Sequence, residues 1–139
     1  MLNASSVVNM SDAASLALHA MMVLAKNQDR LVTTHEIAQT LGVSENHLSK
    51  VVQRLGHAGL ISASRGPNGG LRLAKPASEM TLLQVFELID GPMSSSNCLL
   101  GKETCPGGCC ILGTLVKSVT QQVRDYLAGT TVEKMAAQA

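Results

Sequence analysis

The sequence predicts a mainly α-helical fold carrying one β-hairpin, and three observations predict it. Apolar residues recur at helical spacing in several separate stretches, most of them opened by a capping residue. One stretch, Leu60 to Pro76, switches to strand-like alternation around a Gly-Pro-Asn-Gly-Gly turn. Hydrophobic residues make up 45% of the 139 positions, enough for a packed core, while aromatic residues make up 1%. That core is therefore aliphatic and methionine-based, and with one Phe and one Tyr stacking on single-stranded bases is nearly excluded. The length suits one domain, or a small module with an oligomerisation element.

The first element is Ser11 to Lys26, with Ser11 as N-cap and Asp12 in the first turn. It is apolar on nearly every side, which predicts the central buried helix of its module. His19 is its one titratable interior residue, either a hydrogen-bonded structural histidine or a ligand. No run reaches the roughly 18 apolar residues of a membrane span. His19 and Asp12 also spoil the stretch from Leu16 to Ala25 as a signal peptide. We expect a cytoplasmic protein with no membrane partner, whose thiols stay reduced.

Thr33 and Glu36 form a capping box that opens a short helix with Ile37, Ala38 and Leu41 inward. Gly42 supplies a left-handed C-cap, Val43 fills the turn, and Ser44 caps a second helix. Its apolar positions Leu48, Val51, Val52 and Leu55 fall at i, i+3, i+4 and i+7. Two helices joined by so short a glycine turn make a helix-turn-helix. The hairpin follows at once, pairing Ile61 and Ala63 with Leu71 and Leu73, and Arg65 to Gly70 form its tip. Residues 1–75 thus read as a winged helix-turn-helix, a fold that binds duplex DNA.

Charge supports that reading. Between Ser44 and Lys75 one acid, Glu45, stands against Lys50, Arg54, Arg65, Arg72 and Lys75, a local +4 in a chain of net +1. Asn46, Ser49, Lys50 and Gln53 are candidates for base or phosphate contacts, and Arg54, Arg65 and Arg72 mainly for phosphate.

Residues 76–139 form the second unit. Thr81 and Gln84 make another capping box, over a helix that buries Leu82, Val85, Phe86 and Ile89 and stops at Asp90-Gly91-Pro92. Farther on, Leu112, Val116, Val119, Val123 and Tyr126 recur at spacings of 4, 3, 4 and 3, the seam of a helix that packs on a partner helix, the alternative being a helix packed on its own domain. A homodimer is expected from this long C-terminal dimerisation helix. Thr130 and Glu133 are expected to cap a terminal helix over Val132 and Met135, fraying from Ala136 onward. No Ser-His-Asp set, paired carboxylates or phosphate loop is present, so no enzyme is expected.

Between the two helices, all four cysteines fall within Asn97 to Cys110: Cys98, Cys105, Cys109 and Cys110, in the pattern C-x6-C-x3-C-C. Thiolates on a Pro-Gly-Gly segment can wrap a soft metal centre, iron–sulfur or zinc. Adjacent Cys109 and Cys110 leave the backbone in different directions, which suggests one ligand and one bystander.

The stretch "VSENHLSKVVQRLGHAGLISASRGPNGGLRLAKPASEMTLLQVFELIDGP", the cysteine segment and the long helix resemble the iron–sulfur-cluster-binding transcription regulators of the IscR and NsrR type, from about Ser11 to Met135. The resemblance implies a homodimeric, cytosolic regulator of double-stranded DNA that holds one 2Fe–2S or 4Fe–4S cluster per subunit. It implies that Cys98, Cys105 and Cys110 are ligands. The gap before the third is shorter than usual, and Cys109 is an extra thiol. The family's late histidine position is Gly113, and its first-helix carboxylate position is Ser15, while His19 sits where a histidine ligand would be. For the fourth ligand the order is His19 from the partner subunit, then Cys109, then Asp12. Two alternatives stay open: a cluster-free thiol- or small-molecule-responsive regulator of the same fold, and a zinc-dependent interaction module.

Overall fold

A computed structural model describes residues 10–93, 111–112 and 114–139. The chain runs α1 (Asp12–Lys26), α2 (Thr34–Leu41), α3 (Glu45–His57), β1 (Ile61–Ser64), β2 (Gly70–Leu73), a 3-10 turn (Ala77–Glu79), α4 (Leu82–Asp90), α5 (Leu115–Gly129) and α6 (Val132–Gln138). This is the mainly α, winged helix-turn-helix arrangement that the sequence predicts.

α1 lies at the centre, packed against α2, α3, α4, α6 and β2. Its alanines explain how so many neighbours fit. Ala14, Ala17 and Ala20 are fully buried and bring partner helices close, while Met21 and Leu24 fill the gaps. One hydrophobic cluster joins α1 to Ile37, Leu48, Leu55, Met80, Val85 and Val132, so both halves of the chain share it. No described helix is long and apolar enough to cross a membrane.

The local signals act as written. Both capping boxes form, Thr33 with Glu36 and Thr81 with Gln84. Gly42 adopts φ +65° and closes α2 through its N–H. β1 and β2 pair antiparallel, with Ile61 opposite Leu73, Ser62 opposite Arg72 and Ala63 opposite Leu71. The turn needs glycine at position 69, where a Cβ would run into the Ser64 carbonyl oxygen. Val32 adds an edge to this wing, donating to Leu71 O at 3.0 Å and accepting from Leu71 N at 2.8 Å. A single residue carries too little alternation to announce a strand.

Three expectations change. The terminal helix is capped by Thr131, whose hydroxyl accepts from Lys134 N, and not by Thr130. The reason is a short antiparallel bridge between Thr81 and Thr131: Thr130 O accepts Leu82 N, so Thr130 is drawn inward and buried. α6 also continues through Gln138 where fraying was expected, and Lys26 Nζ donates to Ala139 O at 2.6 Å. Finally, α5 starts at Leu115, leaving Leu112 ahead of the helix.

Candidate nucleic-acid interface

α3 presents two faces for one reason, its 3.6-residue period. Leu48, Val51, Val52 and Leu55 are buried, which turns Asn46, Lys50 and Gln53 to solvent and leaves Ser49 half-buried. Ser44 caps the helix by accepting from His47 N at 3.4 Å. On the wing, Arg65 at the tip and Arg72 on the return strand are both exposed. The structure thus brings donors and acceptors along one helix and cations along one hairpin, the arrangement that groove and backbone contacts require.

Arg54 is placed differently from its neighbours. Its Nη2 donates to Ile89 O at 2.8 Å and Leu88 O at 3.2 Å, at the C-terminal end of α4. Those carbonyls belong to the last turn of a helix and have no acceptor role left inside it.

Two features of the helix-turn-helix are not announced by the sequence pattern. His35 Nδ1 lies 3.0 Å from Glu45 Oε2, linking the start of α2 to the start of α3 across the turn. Histidine and carboxylate ten residues apart give no signal until the turn is folded. The second is Arg30, which pairs at 3.1 Å with the Glu36 carboxylate that also accepts the capping-box bond from Thr33 N at 2.8 Å. The Thr33 backbone N–H first, and the Arg30 side chain second, hold the Glu36 carboxyl below the ordinary carboxylate range.

The four cysteines, Cys98, Cys105, Cys109 and Cys110, lie outside the described residues. Of the other two ligand candidates, Asp12 is exposed at the start of α1. His19 is not a buried core histidine: it is exposed, and its Nδ1 meets Ser15 O at 2.7 Å. With Nδ1 turned to that carbonyl, Nε2 is the ring nitrogen that would meet a metal. Asp12 and His19 stand seven residues apart on one helix, about 10 Å along its axis, so a single compact centre could take only one of them. Among the described residues no three His, Cys, Asp or Glu side chains converge on one point.

Comparison with known proteins decides the family. The description of Rrf2, "Iron-dependent Transcriptional regulator", matches residues 10–138. The chain belongs to the Rrf2 family. An HTH-type transcriptional regulator IscR from Pectobacterium atrosepticum is 31% identical over 121 residues, covering 86% of this chain and 73% of that one. Among solved structures, CymR (YrzC), the global cysteine regulator of B. subtilis, superposes with a TM-score of 0.81 at 27% identity, covering 95% of this chain and 98% of that one. T. potens IscR, at a TM-score of 0.73 and 20% identity over 94% of this chain and 88% of that one, shares the fold. As an Rrf2 protein the chain is a DNA-binding transcriptional regulator and not an enzyme.

Proposed function

We propose that this Rrf2 protein is a cytoplasmic homodimer that reads double-stranded DNA with α3 and the wing, and senses redox, nitric oxide or iron–sulfur status through a cysteine-ligated 2Fe–2S or 4Fe–4S cluster. Asn46, Ser49, Lys50 and Gln53 meet bases or phosphates, and Arg65 and Arg72 meet phosphates. α5 is the dimer element: Leu115 and Tyr126, eleven residues apart along it, remain 50% and 60% exposed, apolar side chains that a second copy would cover.

The observation that carries the sensing part is the place of the thiols in the chain. All four stand between α4, which packs on the DNA-reading half, and α5. A change there acts on both the recognition helices and the dimer. Cys98, Cys105 and Cys110 would hold the cluster, and a bound cluster would supply a centre reactive toward oxidants and nitric oxide. His19 of the partner subunit is the preferred fourth ligand, because its Nδ1 is taken up by Ser15 O and, among the described residues, its Nε2 meets no partner; Cys109 and Asp12 follow.

Replacing Cys98 or Cys105 with Ala is expected to abolish the visible absorption and bound iron of anaerobically purified protein. If colour and iron survive both substitutions, those thiols are not ligands. Likeness to CymR favours a second reading, a cluster-free thiol-responsive regulator of the same fold. Wild-type protein prepared without air would then hold neither iron nor sulfide. A zinc-dependent interaction module would instead hold zinc.

A further inference from the structure

The last turn of α4 is a junction. Asp90 accepts from Ser11 N at 2.9 Å and from Ser11 Oγ, which fastens the turn to the N-cap of α1. Glu87 accepts from Met93 N at 3.3 Å and lies 3.7 Å from Arg124 of α5. Arg54 reaches the same turn from α3, covering the Leu88 and Ile89 carbonyls. Three helices and the outgoing chain therefore converge by polar contacts on four residues, Glu87 to Asp90.

A guanidinium at this spot has two reasons to stay. It satisfies carbonyls that the ended helix leaves without a partner, and it sits at the negative end of the α4 dipole. Both reasons vanish if the turn unwinds or shifts, since the acceptors and the aligned peptides move with it. Arg54 sits one turn from Lys50 on α3, so its position and that of the groove-facing residues are linked through a stiff helix.

We propose that Arg54 is a positioning residue that sets the placement of α3 from the last turn of α4, and acts on DNA through that placement instead of by touching phosphate. Asp90, which fastens the same turn to the start of α1, then influences DNA affinity only through Arg54. This rests on the reading of α3 as the groove reader, and adds a coupling that the reading does not contain.

The test uses full-length protein and a duplex enriched from a random-sequence pool by the wild type. Arg54→Ala and Arg54→Lys are each expected to weaken binding about tenfold, since lysine cannot cover two carbonyls from one planar group. The slope of log affinity against log salt stays at its wild-type value in both. Asp90→Ala weakens binding several-fold, and the Arg54→Ala/Asp90→Ala double variant binds no worse than Arg54→Ala alone. Unfolding midpoints identify any variant that fails to fold, and Arg54→Lys, which keeps the stem and the charge, then carries the comparison.

Full binding by Arg54→Lys would overturn the proposal. So would a slope reduced by about 0.9 in Arg54→Ala, the mark of a lost phosphate contact, or additive losses in the double variant. Lys50→Ala, run alongside, tests the groove-reader reading by itself: unchanged affinity and slope there would remove that reading whatever Arg54 does.

Discussion

α3 and α5 are both amphipathic, yet among the described residues α3 covers its apolar side chains and α5 leaves part of its own exposed. α3 opens on the Ser44 cap and buries four apolar side chains, so its outward face is polar and stable in water. α5 opens on Thr114, whose side chain caps nothing, and fully buries only Val116 and Leu127. Its outward face keeps Leu115 and Tyr126 exposed. A polar outward face can wait for a polyanion in solvent, whereas large apolar side chains left exposed on a helix are stabilised when another apolar surface covers them. On the proposed reading the two helices face different partners, α3 DNA and α5 a second copy of the chain.

The largest effect that could break this contrast lies in the stripe beneath α3. Leu55 is fully buried, and Leu55→Ala should cost about 2–5 kcal/mol of unfolding free energy, read from denaturant midpoints. A loss below about 1 kcal/mol would show that this stripe does not hold α3 in place. Next in size is the covering of α5. Tyr126→Glu should weaken self-association about 30-fold or more in sedimentation, as loss of an interface anchor does, with little change in protomer folding because the ring is 60% exposed. Unaltered self-association would mean that the copies meet elsewhere.

The same contrast explains what could be read from the sequence. Elements fixed by neighbours in the chain were legible: the caps Ser11, Thr33, Ser44 and Thr81, the turn at Gly42 and the pairing of Ile61 with Leu73 all stand where the spacing put them. Elements fixed by distant partners were not. Thr131 displaced Thr130 as cap because a strand-like bridge to Thr81 reaches back fifty residues. The α5 spacing draws one seam, but Val116 is buried and Val123 packs against the chain's own core, while Tyr126 is exposed. Heptad spacing cannot say which of two neighbours a helix faces. Arg54 shows the same limit for the interface: its spacing on α3 matches a phosphate contact, and only the folded α4 reveals two carbonyls within its reach.

A smaller effect separates the wing from α3 on the DNA side. Arg65 is exposed at the hairpin tip, and among the described residues it makes no side-chain hydrogen bond or ion pair. Arg65→Ala should lower duplex affinity several-fold at moderate salt and reduce the salt slope by about 0.9, one phosphate contact. Affinity unchanged at every salt concentration would refute the wing contact and leave α3 as the sole reader.

The smallest effect concerns how the DNA-side helices are locked without a partner. Glu36 holds its charge through the Thr33 N–H and Arg30, so its carboxyl ionises more readily folded than unfolded. A group with a depressed folded value stabilises the fold above its unfolded value, and that contribution disappears as pH falls through the folded value. Glu36→Gln keeps an oxygen for the capping box and removes only the charge. Wild type should therefore melt slightly higher than Glu36→Gln at neutral pH, by about a degree or less given how exposed the group is. The difference should close as pH drops below the ordinary carboxylate range. A gap that persists at the acid end would trace the effect to the shape of the amide, and the charge on Glu36 would then contribute nothing to the lock at the start of α2.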